Sequence, residues 1–63
     1  MEHNREYPKR LQSGRWQDVN GNSYGTLMQA AKAQASAEVY DIKGTDKKAY
    51  VAGIIFEINA KLR

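Results

Sequence analysis

Tyr50-Val51-Ala52-Gly53-Ile54-Ile55-Phe56-Glu57-Ile58 decides how this chain folds, because it is apolar on both faces. Read with a period of two, Tyr50, Ala52, Ile54, Phe56 and Ile58 point one way, while Val51, Gly53 and Ile55 point the other. A strand of a one-layer sheet carries apolar groups on one face and polar groups on the other. Here the second face is apolar too, so the strand reading needs a cover: a second copy, a partner or the N-terminal arm. Val51, Ile55, Ile58 and Leu62 also fit helical spacing, which makes a C-terminal helix the competing reading. The β-branched and aromatic density of Val51, Ile54, Ile55, Phe56 and Ile58 tips the expectation toward a strand over residues 48–58, and Gly53 weakens a helix there.

The preceding residues complete a hairpin on this reading. Residues 38–43 alternate, with Tyr40 and Ile42 on one face, and Gly44-Thr45-Asp46-Lys47 supplies the turn. Further upstream, Thr26-Leu27-Met28-Gln29 opens a helix in the capping-box arrangement, with the Thr26 hydroxyl accepting from the first turn and Gln29 reaching back. Residues 27–37 are rich in alanine; Leu27, Met28, Ala31 and Ala35 share one face, and Gln29, Lys32 and Ser36 make a polar one. Three turns are too short to stand alone, so this helix must dock.

Before it, Asn20-Gly21 sits between short segments at residues 15–19 and 22–25, which predicts a hairpin closed by a type I′ pair, with Trp16 near Tyr24. Residues 1–12 are polar, hold the one proline, Pro8, and show no period; they read as a flexible basic arm. The expected fold is therefore α+β: a ββαββ domain over residues 13–63, with a single-layer antiparallel sheet of about four strands and one helix packed on one face. Its expected core is Leu27, Met28, Ala31, Ala35, Tyr40, Ile42, Ile54, Phe56 and Ile58.

Composition narrows the function classes. A domain of 63 residues buries only about 60% of the surface its unfolded chain exposes, so its core is small. Cysteine is absent, which excludes disulfides and thiolate zinc sites. There is no long apolar run for a membrane span and no apolar stretch behind the charges of residues 1–5, so a cytoplasmic protein without membrane contact is expected. The net charge of +3 is uneven: residues 1–16 carry +2, residues 17–37 are neutral, and residues 38–63 carry +1.

No residue pattern points to catalysis. His3 is the lone imidazole and has no cysteine or carboxylate at metal-ligand spacing. A serine nucleophile would need His3 brought into a pocket that so short a chain can hardly enclose. Asp18, Glu38, Asp41, Asp46 and Glu57 read as turn and surface charges, and their spacing matches no calcium loop. Gly21-Asn22-Ser23-Tyr24-Gly25-Thr26 runs into a helix as phosphate loops do, but lacks the lysine before the hydroxyl. The chain is thus expected to be no enzyme, with no metal, cofactor or small-molecule substrate.

Two binding surfaces stand out instead. Arg5, Lys9, Arg10 and Arg15 interleave with Tyr7 and Trp16, and Lys47 and Lys48 add a second basic cluster with Lys43. Cations pair with phosphates, rings stack on bases, and a basic arm joined to a β-ribbon suits a nucleic-acid groove. The leading expectation is a small regulatory protein that contacts DNA or RNA through Arg5, Lys9, Arg10, Arg15, Trp16, Lys47 and Lys48, with a core position as the alternative for Trp16. The other surface is the second apolar face, Val39, Val51 and Ile55, which fits a protein partner or a homodimer. On that alternative the chain is an interaction module, a small inhibitor or adaptor of phage or mobile-element type, that presents a sheet face or an edge strand.

Overall fold

The computed structural model describes residues 5–62. Its elements run β1 (Lys9–Arg10), β2 (Trp16–Gln17), β3 (Ser23–Tyr24), α1 (Leu27–Glu38) and α2 (Gly44–Lys61). The architecture is α+β, with a three-stranded antiparallel sheet in the order β1-β2-β3 ahead of two helices.

Two loops of the same design build the sheet. In the first, the Gly14 N–H donates to the Leu11 carbonyl at 2.9 Å and the Leu11 N–H donates to the Arg15 carbonyl at 2.8 Å. The second repeats this with Gly21 on Asp18 at 3.0 Å and Asp18 on Asn22 at 2.9 Å. Gly14 and Gly21 both have φ of 91°, the left-handed region that closes a three-residue hairpin loop with a glycine bulge. The type I′ pair expected at Asn20-Gly21 does not form, because among the described residues no non-glycine residue takes positive φ. Val19 joins the loop instead.

Asp18 accounts for that choice. Its Oδ1 accepts from the Asn20 and Asn22 N–H groups, each at 3.0 Å, and its Oδ2 accepts from the Tyr24 hydroxyl at 2.9 Å. The side chain is buried, and the carboxylate fixes turn and strand together. Burial alone would push this carboxyl up; the Tyr24 hydroxyl and the Asn22 and Asn20 amides outweigh it and hold it below the ordinary aspartate value. A carboxyl depressed on folding stabilises above its unfolded pKa, near 4, and loses that contribution as pH falls through the lower folded value. We expect the melting temperature to drop from about pH 5 downward, and Asp18→Asn to flatten part of that drop. Identical acid profiles for the two proteins would show that Asp18 is not the sensor. Asp18→Ala, which strands three donors, is expected to cost about 2–3 kcal/mol in a denaturant titration.

α1 begins at the Thr26 cap that the sequence implies, without the reciprocal bond expected from the Gln29 side chain. Thr26 is extended, and its Oγ1 accepts from the Gln29 N–H at 3.2 Å. Ala30, Ala31 and Ala35 are buried, and these small side chains let α1 contact β2, β3 and α2. Gln34 is buried beside them; its Oε1 accepts from the Val19 N–H at 2.9 Å, which ties the second loop to the helix.

α2 is the main correction. The hairpin expected over residues 38–58 is absent: Glu38 ends α1, and Gly44 through Lys47, expected as a turn, is the first turn of α2. The ββαββ order is accordingly replaced by βββαα. The paradox of two apolar faces disappears in the helix, because a rotation of about 100° per residue gathers Val51, Ile54, Ile55 and Ile58 into one stripe. Val51, Ile54 and Ile58 are buried and Ile55 packs against them. Asp46 in the first turn and Lys61 in the last complement the helix dipole. These gains exceed the roughly 1 kcal/mol that Gly53 costs inside a helix.

The core shifts accordingly. Trp16, Ala30, Ala31, Ala35, Val51, Ile54 and Ile58 form one cluster, with Tyr24, Leu27, Tyr50 and Ile55 against it, and Pro8 is fully buried. Of the expected core, Met28 is 50% exposed, Phe56 69% and Tyr40 96%. Tyr40 lies in the connection between the helices, and Phe56 is rotated off the buried stripe of α2. A Cβ at Gly53 meets nothing within 4 Å. Gly53→Ala is therefore expected to stabilise the protein by about 0.5–1 kcal/mol, read as a higher denaturant midpoint; a lower midpoint would contradict a helix at this position.

Candidate functional site

The three strands set six side chains in two rows. Lys9 pairs with Gln17 and Gln17 with Ser23, while Arg10 pairs with Trp16 and Trp16 with Tyr24. Successive side chains alternate, so Trp16 and Tyr24 turn toward α1 and the core, and Lys9, Gln17 and Ser23 form the outer face. Arg10 stands on the inner row but at the sheet edge, where it is exposed and its guanidinium lies over the Trp16 ring, 5.9 Å from the centroid. Trp16 is thus a core residue with a cation over its ring, and that ring is not presented for stacking on a base.

Arg15 enters β2 and reaches across it. Its Nε donates to the Ser23 Oγ at 3.4 Å and its Nη2 to the Ser23 carbonyl at 3.3 Å, which orients the guanidinium and leaves the Nη1 donors for an outside acceptor. Lys9, Arg10 and Arg15 are all exposed. Over residues 9–24 the only acid is Asp18, which is buried and bonded within the turn. The sheet therefore offers a narrow basic surface with no carboxylate of its own to neutralise it.

Arg5 goes elsewhere. Its Nη1 and Nη2 donate to the two carboxylate oxygens of Glu38, its Nε donates to Glu57 at 3.0 Å, and Nη1 also donates to the Tyr7 carbonyl at 3.2 Å. Glu38 further accepts from Gln34 at 2.7 Å and from the Tyr50 hydroxyl at 2.6 Å, while Lys61 Nζ donates to the Arg5 carbonyl at 2.9 Å. The Glu38 hydrogen bond raises the Arg5 guanidinium pKa despite burial; in turn Arg5, Tyr50 and Gln34 overcome the burial of Glu38 and lower its carboxyl. Arg5 is a staple that joins the N-terminal segment to both helices, and its donors are used internally. Sequence spacing gave no signal for it, since its partners lie 33 and 52 residues away.

Lys47 and Lys48 stand on α2, not on a hairpin turn. With Lys32 of α1 they line a groove of about 770 Å³ whose apolar residues include Met28, Val51 and Ile55. Two of the expected interface residues, Val51 and Ile55, thus meet in one groove. Val39 lines a different hollow with Ile42 and Tyr50, beside the connection between the helices.

Among the described residues, no group of three His, Cys, Asp or Glu side chains is placed to hold a metal ion. His3 lies outside those residues. Comparison with protein-family models, with curated proteins and with solved structures gives no match. No helix among the described residues is long and apolar enough to cross a membrane. The functional reading therefore rests on the sheet and the groove themselves.

Proposed function

We propose that the protein is a small non-enzymatic regulatory module that binds duplex DNA with the outer face and the β1 edge of its three-stranded sheet. The observation that carries this reading is the set Lys9, Arg10 and Arg15 exposed on one ribbon whose single acid, Asp18, is turned inward. Three strands spaced at about 4.8 Å make a ribbon about 10 Å wide, which fits a major groove about 12 Å wide. Lys9 and Arg10 would hold phosphates, while Arg15 and Gln17 would face base edges, where guanidinium recognises guanine and amide recognises adenine.

The same geometry disfavours other nucleic acids. A single-strand platform needs exposed rings, whereas the Trp16 ring is buried and the Tyr24 hydroxyl is bonded to Asp18. Duplex RNA has a major groove too narrow for side chains to read. Arg5, held by Glu38 and Glu57, and Trp16, held in the core, are left out of the proposed contact set.

The test is a titration of isotope-labelled protein with a short mixed-sequence DNA duplex, followed by amide chemical shifts. Perturbations concentrated at Lys9, Arg15, Gln17 and Ser23 are expected, with weaker responses to single-stranded DNA and duplex RNA. Perturbations that spare the sheet would refute this surface.

A further inference from the structure

We infer that the groove between α1 and α2 docks an acidic amphipathic helix of a partner protein. Its apolar lining includes buried Val51, half-buried Ile55 and half-exposed Met28, and Lys32, Lys47 and Lys48 line it as well. No carboxylate lines it, and among the described residues none of the three ammonium groups takes part in an ion pair. Three uncompensated cations around an apolar trough are complementary to a ligand with an apolar stripe flanked by Asp or Glu. Eleven residue steps from Gly44 to Ile55 span about 16 Å of helix, enough for a ligand helix to seat anchors at i, i+4 and i+7.

Charge and shape select this occupant over three others. A second copy seated groove to groove would bring its own lysines against these, and like charges across an interface are costly. Nucleic acid would meet aliphatic side chains that offer its bases neither ring stacking nor hydrogen bonds. A bilayer takes up a protruding apolar face, whereas Val51 in this trough is buried.

The inference does not depend on the DNA reading, because the groove and the outer sheet face share no residue. It is tested by selecting displayed random peptides on the immobilised full chain, with counter-selection on Met28→Asp, a change at a half-exposed position. The selected consensus peptide is then synthesised for titration against the wild type and against Lys32→Glu/Lys48→Glu. The expected consensus has apolar residues at i, i+4 and i+7 and a net negative charge, and the double variant binds it at least about tenfold more weakly with an unchanged circular-dichroism spectrum. Arg10→Glu/Arg15→Glu should bind the peptide as the wild type does. Absence of Met28-dependent enrichment, or a neutral or basic consensus, would overturn the proposal. So would a dimer in sedimentation that Met28→Asp returns to monomer, or vesicles rich in phosphatidylserine shifting the groove's amide signals while the peptide does not.

Discussion

Ile54→Asp is expected to abolish the cooperative thermal melt, whereas Phe56→Asp leaves it in place. Ile54 is 1% exposed in the centre of the cluster formed by α1, α2 and Trp16, while Phe56 is mostly open to solvent two residues on. A carboxylate at position 54 either stays charged without a partner in an apolar surrounding or takes up a proton, and both routes cost several kcal/mol. A domain of this size is stabilised by only about 0.1 kcal/mol per residue, so the loss equals most of what holds it folded. Even Ile54→Ala, at about 2–5 kcal/mol, should bring unfolding close to ambient temperature. Phe56→Asp adds a solvated charge to an exposed helix position and should change stability by no more than about 1 kcal/mol. In a strand, positions 54 and 56 share a face and the two substitutions would behave alike. Equal destabilisation would therefore contradict the helix.

Arg10→Glu/Arg15→Glu should abolish DNA binding without unfolding the chain. Both residues are exposed, and the fold loses the Arg10 stack on Trp16 and the two Arg15 bonds to Ser23. An exposed cation–π contact is worth about 0.5–1 kcal/mol, so the melt should shift by several degrees and remain cooperative. Binding suffers far more, because two phosphate- or base-pairing cations become repulsive anions; a loss of at least about 100-fold is expected. The same change of charge at Lys43 and Lys48, as Lys43→Glu/Lys48→Glu, lies on the loop and on α2 rather than on the sheet. It should weaken binding only about threefold, through the general field of the protein. Comparable losses in both variants would mean that DNA responds to net charge and that the sheet is no specific surface.

How much of this was legible in the sequence varies with the element. The Thr26 cap and the alanine-rich α1 are local signals, and local signals survive into the fold. The pairing of Trp16 with Tyr24 also follows from residues that turn within one short loop. β1 was hidden because a two-residue strand has no period to detect, although Gln12-Ser13-Gly14 places its glycine as Val19-Asn20-Gly21 does. α2 was misread because its β-branched residues have strand propensity, while the deciding factor is tertiary: Val51, Ile54 and Ile58 find alanines of α1 to pack on. The cations needed the structure most. Composition treats Arg5 and Arg15 alike, yet one is consumed by Glu38 and Glu57 and the other faces outward from the sheet. Likewise, Val51 and Ile55 read as a strand's second face line a helical groove together with Lys32, a residue the sequence places far from them.

The most direct test of the DNA-binding sheet is the salt dependence of duplex binding, measured with one labelled mixed-sequence duplex on the wild type and on Arg10→Glu/Arg15→Glu. If Lys9 and Arg10 each release one phosphate counterion, wild-type affinity should fall about 12-fold between 50 and 200 mM salt, and the double variant should show no binding at either concentration. Retained binding in the double variant with the same salt slope, or no wild-type binding at 50 mM salt, would contradict the account.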